Sequence, residues 1–266
     1  MTLFQLFILA IVQGVTEFLP ISSSGHLLIT REILVWPDPG PHLDVAVHLG
    51  TLGAVLLYFR QDTGRLFAGL GKLCRGRIDA DARLFLLLAW ATIPVVLVAG
   101  VLVMFDLLDS IRQPIIIACA TIGFALPLWF ADRFFQAEKT AEDIDYRGYL
   151  LLGIAQAFSV IPGTSRAGVT MTAGRALGLT RQDAAHISML MSIPTILVFG
   201  GYTGFDLYRE GVLSFTGDIA IATALSFATA LFSIWGLMAW LRRASFTPFV
   251  FYRLVLGAGL LIWVFA

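Results

Sequence analysis

Charged side chains are scarce in this chain. Asp, Glu, Lys and Arg make up 14% of the 266 residues, against roughly 25% in soluble domains. The few charges cancel to a formal net charge of zero, which removes the broad basic field that nucleic-acid binding draws on. Only two cysteines occur, Cys74 in a polar stretch and Cys119 in an apolar one. That is too few for a disulfide framework or a cysteine metal cluster, and both are read as inert thiols. No basic segment precedes the apolar N-terminus, which runs into Glu17 rather than a small-residue cleavage site, so a removable signal peptide is not expected.

Apolar side chain is what the chain has in excess: 58% of residues are hydrophobic and the mean hydropathy is +0.84. Charge-free runs over 84–105 and 219–240 reach the ~20 residues that cross a bilayer. The fold class is therefore an all-α polytopic membrane protein, one membrane domain over 1–266. The apolar arms 2–16 and 149–161 are too short to cross and are expected to be re-entrant. Each ends in a polar loop, FLPISSSGH at 18–26 and IPGTSRAG at 161–168. Polar backbone at membrane depth is tolerated only where it lines a cavity or is buried in protein.

The two halves run in the same order. Gln13 matches Gln156, Ser22 and Ser23 fall opposite Thr164 and Ser165, Ser24 opposite Arg166, and His26 opposite Gly168. Helices carrying Asp44 and His48, then Asp183 and His186, follow. The expectation is repeat A over 1–135 with a hairpin at 1–34, and repeat B over 146–266 with a hairpin at 149–180. Spans at 84–105, 114–131, 219–240 and 249–266 bring the total to six transmembrane helices plus two re-entrant hairpins. Three crossings per half invert the second repeat, so matching interruptions in the two halves mark a shared site near the midplane. Lys and Arg concentrate in 60–83, in 132–148 and at Arg242 and Arg243, and these loops are expected in the cytoplasm.

The loops have the groups for phosphate chemistry. Gly163 and Gly168 free the backbone to approach a ligand, and Thr164, Ser165 and Thr170 offer hydroxyls. The following helix directs its N-terminal dipole at the same place, and Arg166 presents a fork that matches phosphate oxygens. The alternative for Arg166 is a structural arginine that bonds carbonyls of the partner hairpin. In the first loop Glu17 lies four residues after Gln13, on one helix face. Glu17, Ser23 and His26 form a nucleophile, base and orienter set, and a carboxylate beside a diphosphate can hold a divalent cation. Ser22 and Ser24 serve equally well as plain helix caps. Asp44 and His48 fit either a cavity wall or an interfacial helix start, and Asp183 and His186 are weaker candidates.

The segment from Gln13 to His26 closely resembles the first signature of the undecaprenyl-diphosphate phosphatase family, bacterial enzymes associated with bacitracin resistance. The segment from Pro162 to Thr170 resembles its second signature, and the likeness extends to SFTPFVFYR at 245–253. The resemblance implies hydrolysis of a C55 polyprenyl diphosphate to the monophosphate in the bacterial cytoplasmic (inner) membrane. It implies a site open to the outer face and Mg2+ or Ca2+ as cofactor, with Glu17 as ligand, and it is compatible with a homodimer. Glu17, Ser23, His26 and Arg166 take catalytic roles, with either Ser23 or His26 as nucleophile. Gln13, Ser22, Gly163, Thr164, Ser165 and Thr170 surround the substrate. Gln13 is the less acidic of the family's two options, and Ala167 stands where serine is usual. Two other classes share parts of the pattern: a polyprenyl-phosphate transporter, for which inverted repeats are common, and an anion channel. Neither needs a serine, a histidine and a carboxylate gathered together.

Overall fold

The computed structural model describes residues 2–36, 40–211 and 217–265. Two short helices, α1 (Leu3–Thr16) and α2 (Ser23–Leu34), form a first hairpin. The first half continues with α3 (Pro41–Tyr58), α4 (Arg60–Leu73), α5 (Ala80–Met104), α6 (Pro114–Gly123) and α7 (Ala125–Phe134). A second hairpin, α8 (Tyr146–Ala157) and α9 (Arg166–Ala176), is followed by α10 (Arg181–Arg209), α11 (Gly217–Leu241) and α12 (Thr247–Phe265). By length and composition five spans can cross a membrane: α5, α6 with α7, α10, α11 and α12. The pair α3–α4 makes a sixth if its 96° bend is counted within one span. The expected span 249–266 ends on Ala266, which lies outside the described residues.

Caps and prolines explain the element ends. Thr2 and Gln5 close a capping box on α1, Asp79 caps α5, Asp145 caps α8 and Thr180 caps α10. The α6–α7 break falls at Phe124, three residues before Pro127, whose ring would meet the carbonyl of Gly123 in a continuous helix. The basic stretch read as a loop over 60–83 is instead mostly helical: α4 turns off α3 at Phe59. It binds the start of α5 through Arg65 to Asp81 (3.2 Å) and Lys72 to Asp79 (2.6 Å).

At 1.5 Å per residue α1 is about 21 Å long, short of the ~30 Å hydrocarbon core, and α2, α8 and α9 are shorter still. Each hairpin leans on the opposite half of the chain, α1 against α11 and α8 against α5. Small residues allow this: a Cβ on Gly14 or Gly50 would overlap α11 at Ser226, and one on Gly153 would overlap the Ala91 carbonyl of α5. Without a hydrophobic force between helices in lipid, such close backbone approach supplies the packing.

One tip feature departs from the sequence alignment. Ser22 (φ 75°) accepts from the amide of Gly25, and Ser165 (φ 70°) accepts from the amide of Gly168. Ser22 therefore corresponds to Ser165, and Ser23 to Arg166. The second tip holds one extra residue between proline and serine, so counting from the prolines put the pairs out of step.

At the basic end Asp132 ties three elements together. Its carboxylate accepts from Arg175 of α9 (3.3 Å), Arg181 of α10 (2.6 Å) and the amide of Phe246 before α12 (3.0 Å). Arg175 also donates to the carbonyls of Leu179 and Phe135. Removing one partner of a buried pair leaves an uncompensated charge at a cost of about 3–5 kcal/mol. Asp132→Ala is expected to lower the unfolding midpoint of the detergent-solubilised protein sharply. Asp183→Ala, which loses only the bond from the Thr180 hydroxyl and keeps the cap on α10, shifts it little.

Candidate active site

The two hairpin tips meet. Arg166, the first residue of α9, reaches across with Nη2 to Glu17 Oε1 (3.4 Å), while Nη1 donates to the carbonyl of Ser188 on α10 (2.9 Å). Its guanidinium also stands 5.8 Å from the ring centroid of the fully buried Phe18. The other oxygen of Glu17, Oε2, accepts from Ser23 Oγ (2.7 Å) and from Gln13 Nε2 (2.8 Å). Glu17 is thus held by three donors, the Ser23 hydroxyl among them.

These groups form the floor of a cavity of about 630 Å3 lined by Glu17, Ser22, Ser23, Ser24, Ser165 and Arg166. The N-termini of α2 and α9 both end there, because Ser23 and Arg166 are their first residues. Two positive dipole ends converge on one spot, a ready anion site. The serine caps sit in left-handed backbone, which costs a non-glycine residue roughly 1–2 kcal/mol, and strain of this kind gathers at functional sites.

The structure does not bring every expected residue to the cavity. His26 is turned away: its Nδ1–H donates to the Ser22 carbonyl (2.6 Å) and its Nε2 accepts from the Tyr252 hydroxyl (2.5 Å), with the two rings stacked. It therefore ties the first turn of α2 to α12, and it is not among the residues that line the cavity. The imidazole on the cavity wall is that of His48 on α3, with Asp44 beside it. The Nδ1–H of His48 donates to the Asp44 carbonyl (2.6 Å), and Nε2 stands 4.0 Å from Glu17 Oε2. Thr170 is fully buried behind the floor, donating to Arg166 O and lying 2.6 Å from Ser188 Oγ. Gln13 is also fully buried and touches Glu17, not the cavity. Gly163 and Thr164 contribute through their carbonyls. Asp183 lies in the first turn of α10, its amide donating to the Thr180 cap, and His186 pairs with Asp62 (2.8 Å), both away from the cavity.

Arg253 on α12 was legible in the sequence only as part of a resembling stretch. Fully buried, it donates to the carbonyls of Gly163 (3.0 Å) and Thr164 (2.9 Å) on one tip, Pro20 (3.5 Å) on the other and Thr121 (3.1 Å) on α6. The carbonyl-binding role weighed for Arg166 belongs to Arg253. Gly163 (φ 92°) lets this tip form, since a Cβ there would overlap the carbonyl of Ile117. Ser159 and Arg112 also line the cavity, Arg112 from the turn that follows α5. No motif marked either.

The family described as Bacitracin resistance protein BacA matches residues 6–259. Among curated relatives, the undecaprenyl-diphosphatase of Maricaulis maris is 47% identical over 266 residues, 99% of either chain. That of a Jannaschia species is 46% identical across 100% of both, and that of Ruegeria pomeroyi 47% across 98% of both.

Mg2+ and Ca2+ both take six or more oxygen ligands. Glu17 already accepts from a guanidinium, an amide and a hydroxyl, and no three His, Cys, Asp or Glu residues converge among the described residues. These side chains do not fit a resident ion. Calorimetric titration of Mg2+ into the substrate-free protein is expected to give no saturable heat, and a Glu17→Gln variant the same flat trace.

Proposed function

Because the chain belongs to the bacitracin resistance protein family, we propose that it hydrolyses undecaprenyl diphosphate to undecaprenyl phosphate and inorganic phosphate. The observation that carries this reading is one carboxylate shared between Ser23 and Arg166: a nucleophile bonded to its base (2.7 Å) beside a cation placed for phosphoryl oxygens. In this reading Ser23 Oγ attacks the terminal phosphorus as Glu17 takes its proton. The bridging P–O bond breaks, and undecaprenyl phosphate leaves with the electron pair. Water then attacks the phosphoserine, the Ser23 O–P bond breaks, and Glu17 returns the proton to Ser23. Arg166, the Ser165 hydroxyl and the two helix ends stabilise the charge on the equatorial oxygens. His48 stands where it can hold the attacking water against Glu17. No step requires a metal ion, and any Mg2+ or Ca2+ is carried by the diphosphate itself.

The inner membrane, with the cavity open to the outer face, is part of the same proposal. Helix α5 starts against the basic helix α4 and ends at the cavity wall with Val103, so the cavity opens on the end away from the basic cluster. Positive residues favour the cytoplasmic side, which supports an outward mouth. The transporter alternative is not favoured, since a carrier has no use for a serine bonded to a carboxylate.

Phosphate release by purified protein checks these roles. Ser23→Ala is expected to abolish it, and Glu17→Gln to lower kcat by about 10²–10⁴-fold. Full activity in Ser23→Ala would remove the serine nucleophile. His26 acts as a positioning residue: His26→Ala lowers kcat while KM holds. His26→Asn, whose amide can still donate to the Ser22 carbonyl, recovers part of the loss.

A further inference from the structure

Above its polar floor the cavity has two unlike walls. The α3 side carries Asp44 and His48. The opposite side is apolar and is built by the outer halves of α5 and α10, with Val95, Ala99 and Val103 spaced one turn apart on α5 and Ile196 and Phe199 on α10. Both helices carry a proline where the cavity begins, Pro94 beside Val95 and Pro194 beside Thr195, and proline loosens a helix at that point. Near the floor the walls are closed: Val95 is 1% exposed and Thr195 7%. Two turns further out Val103 is 46% exposed and Tyr202 56%, yet both still line the cavity. The cavity is therefore closed at its floor and open two turns further out, along the wall that α5 and α10 share.

The slot between these walls is open at Gly200, which lines the cavity: no heavy atom lies within 4 Å of the position a Cβ would take there. The α3–α11 contact is the opposite case, since a Cβ on Gly50 would overlap Ser226. An apolar slot at this depth is filled by hydrocarbon chain, and its inner end reaches the phosphate floor. We propose that the isoprene units nearest the diphosphate lie in this slot between α5 and α10, flanked by Ala99 and Gly200. The rest of the chain leaves for the bilayer past Val103 and Tyr202. This inference rests on the diphosphatase reading and extends it to the lipid moiety. The charged α3 wall would exclude the chain, because burying ionised groups against hydrocarbon is costly.

The test compares undecaprenyl diphosphate with the five-carbon dimethylallyl diphosphate, which is too short to fill the slot. Gly200→Leu has open space around its side chain and is expected to fold. It should lower the ratio of kcat/KM for the long substrate over the short one by about 10- to 200-fold, the range that one apolar group in a pocket commands. Gly236→Leu on α11, equally unobstructed and outside the cavity, should leave the ratio at the wild-type value. A photoreactive group on the first isoprene unit should label α5 and α10 peptides of the Ser23→Ala protein, a readout that needs no turnover. Labelling confined to α3 or α11, or an unchanged ratio in Gly200→Leu, overturns the proposal. Hydrolysis of neither diphosphate by the wild type, with α5 and α10 still labelled, sinks the enzymatic reading and leaves the lipid slot standing.

Discussion

The fold depends on a guanidinium with no carboxylate partner among the described residues. Arg253 lies fully buried on α12 and donates to carbonyls of both hairpin tips and of α6. A short re-entrant loop cannot satisfy its own backbone, and lipid offers no hydrogen bonds. Arginine suits the task because its planar fork supplies five fixed donors, and because intramembrane charge is retained where it bonds carbonyls. Two loops from opposite halves of the chain are thereby locked at one depth, and the site between them needs that registration to within fractions of an ångström.

Around this lock the two tips share one local design. Each arm ends in a proline-containing turn, a left-handed serine caps the next helix, and that helix begins at the cavity floor. The repeated cap delivers different groups at its first helical position, a hydroxyl in Ser23 and a cation in Arg166. Glu17 bonds both, so the hydroxyl nucleophile, its base and the phosphate-binding cation come from two separate loops. The polar floor meets an apolar, unfilled slot on only one side, which suits a substrate that is charged at one end and hydrocarbon at the other.

Much of this was readable from residues alone. Runs of apolar residues located α5, α11 and α12 within a few positions, and the shortness of the arms marked the hairpins. Glu17, Ser23 and Arg166 stood out because each is costly at membrane depth. The register of the tips was misread by one residue, since two prolines at similar distances give no sign of the extra residue that Gly163's left-handed turn absorbs. The basic stretch after Tyr58 gave no sign of its 96° turn into α4. His26 stood next to the serines in the chain, and sequence adjacency made it the natural partner. In the fold its ring is taken up by the Ser22 carbonyl and by Tyr252 of α12.

By itself, then, the sequence determined that the chain is helical, membrane-embedded and equipped at two loops for binding phosphate, because hydropathy, proline and charge act locally along the chain. Only the tertiary structure decided that Glu17 is shared between Ser23 and Arg166, that His48 replaces His26 on the cavity wall, and that Arg253 holds the tips. Those contacts join residues as far as 233 positions apart, and their geometry is set by helix rotation and close glycine packing, neither of which can be read along a single strand of chain.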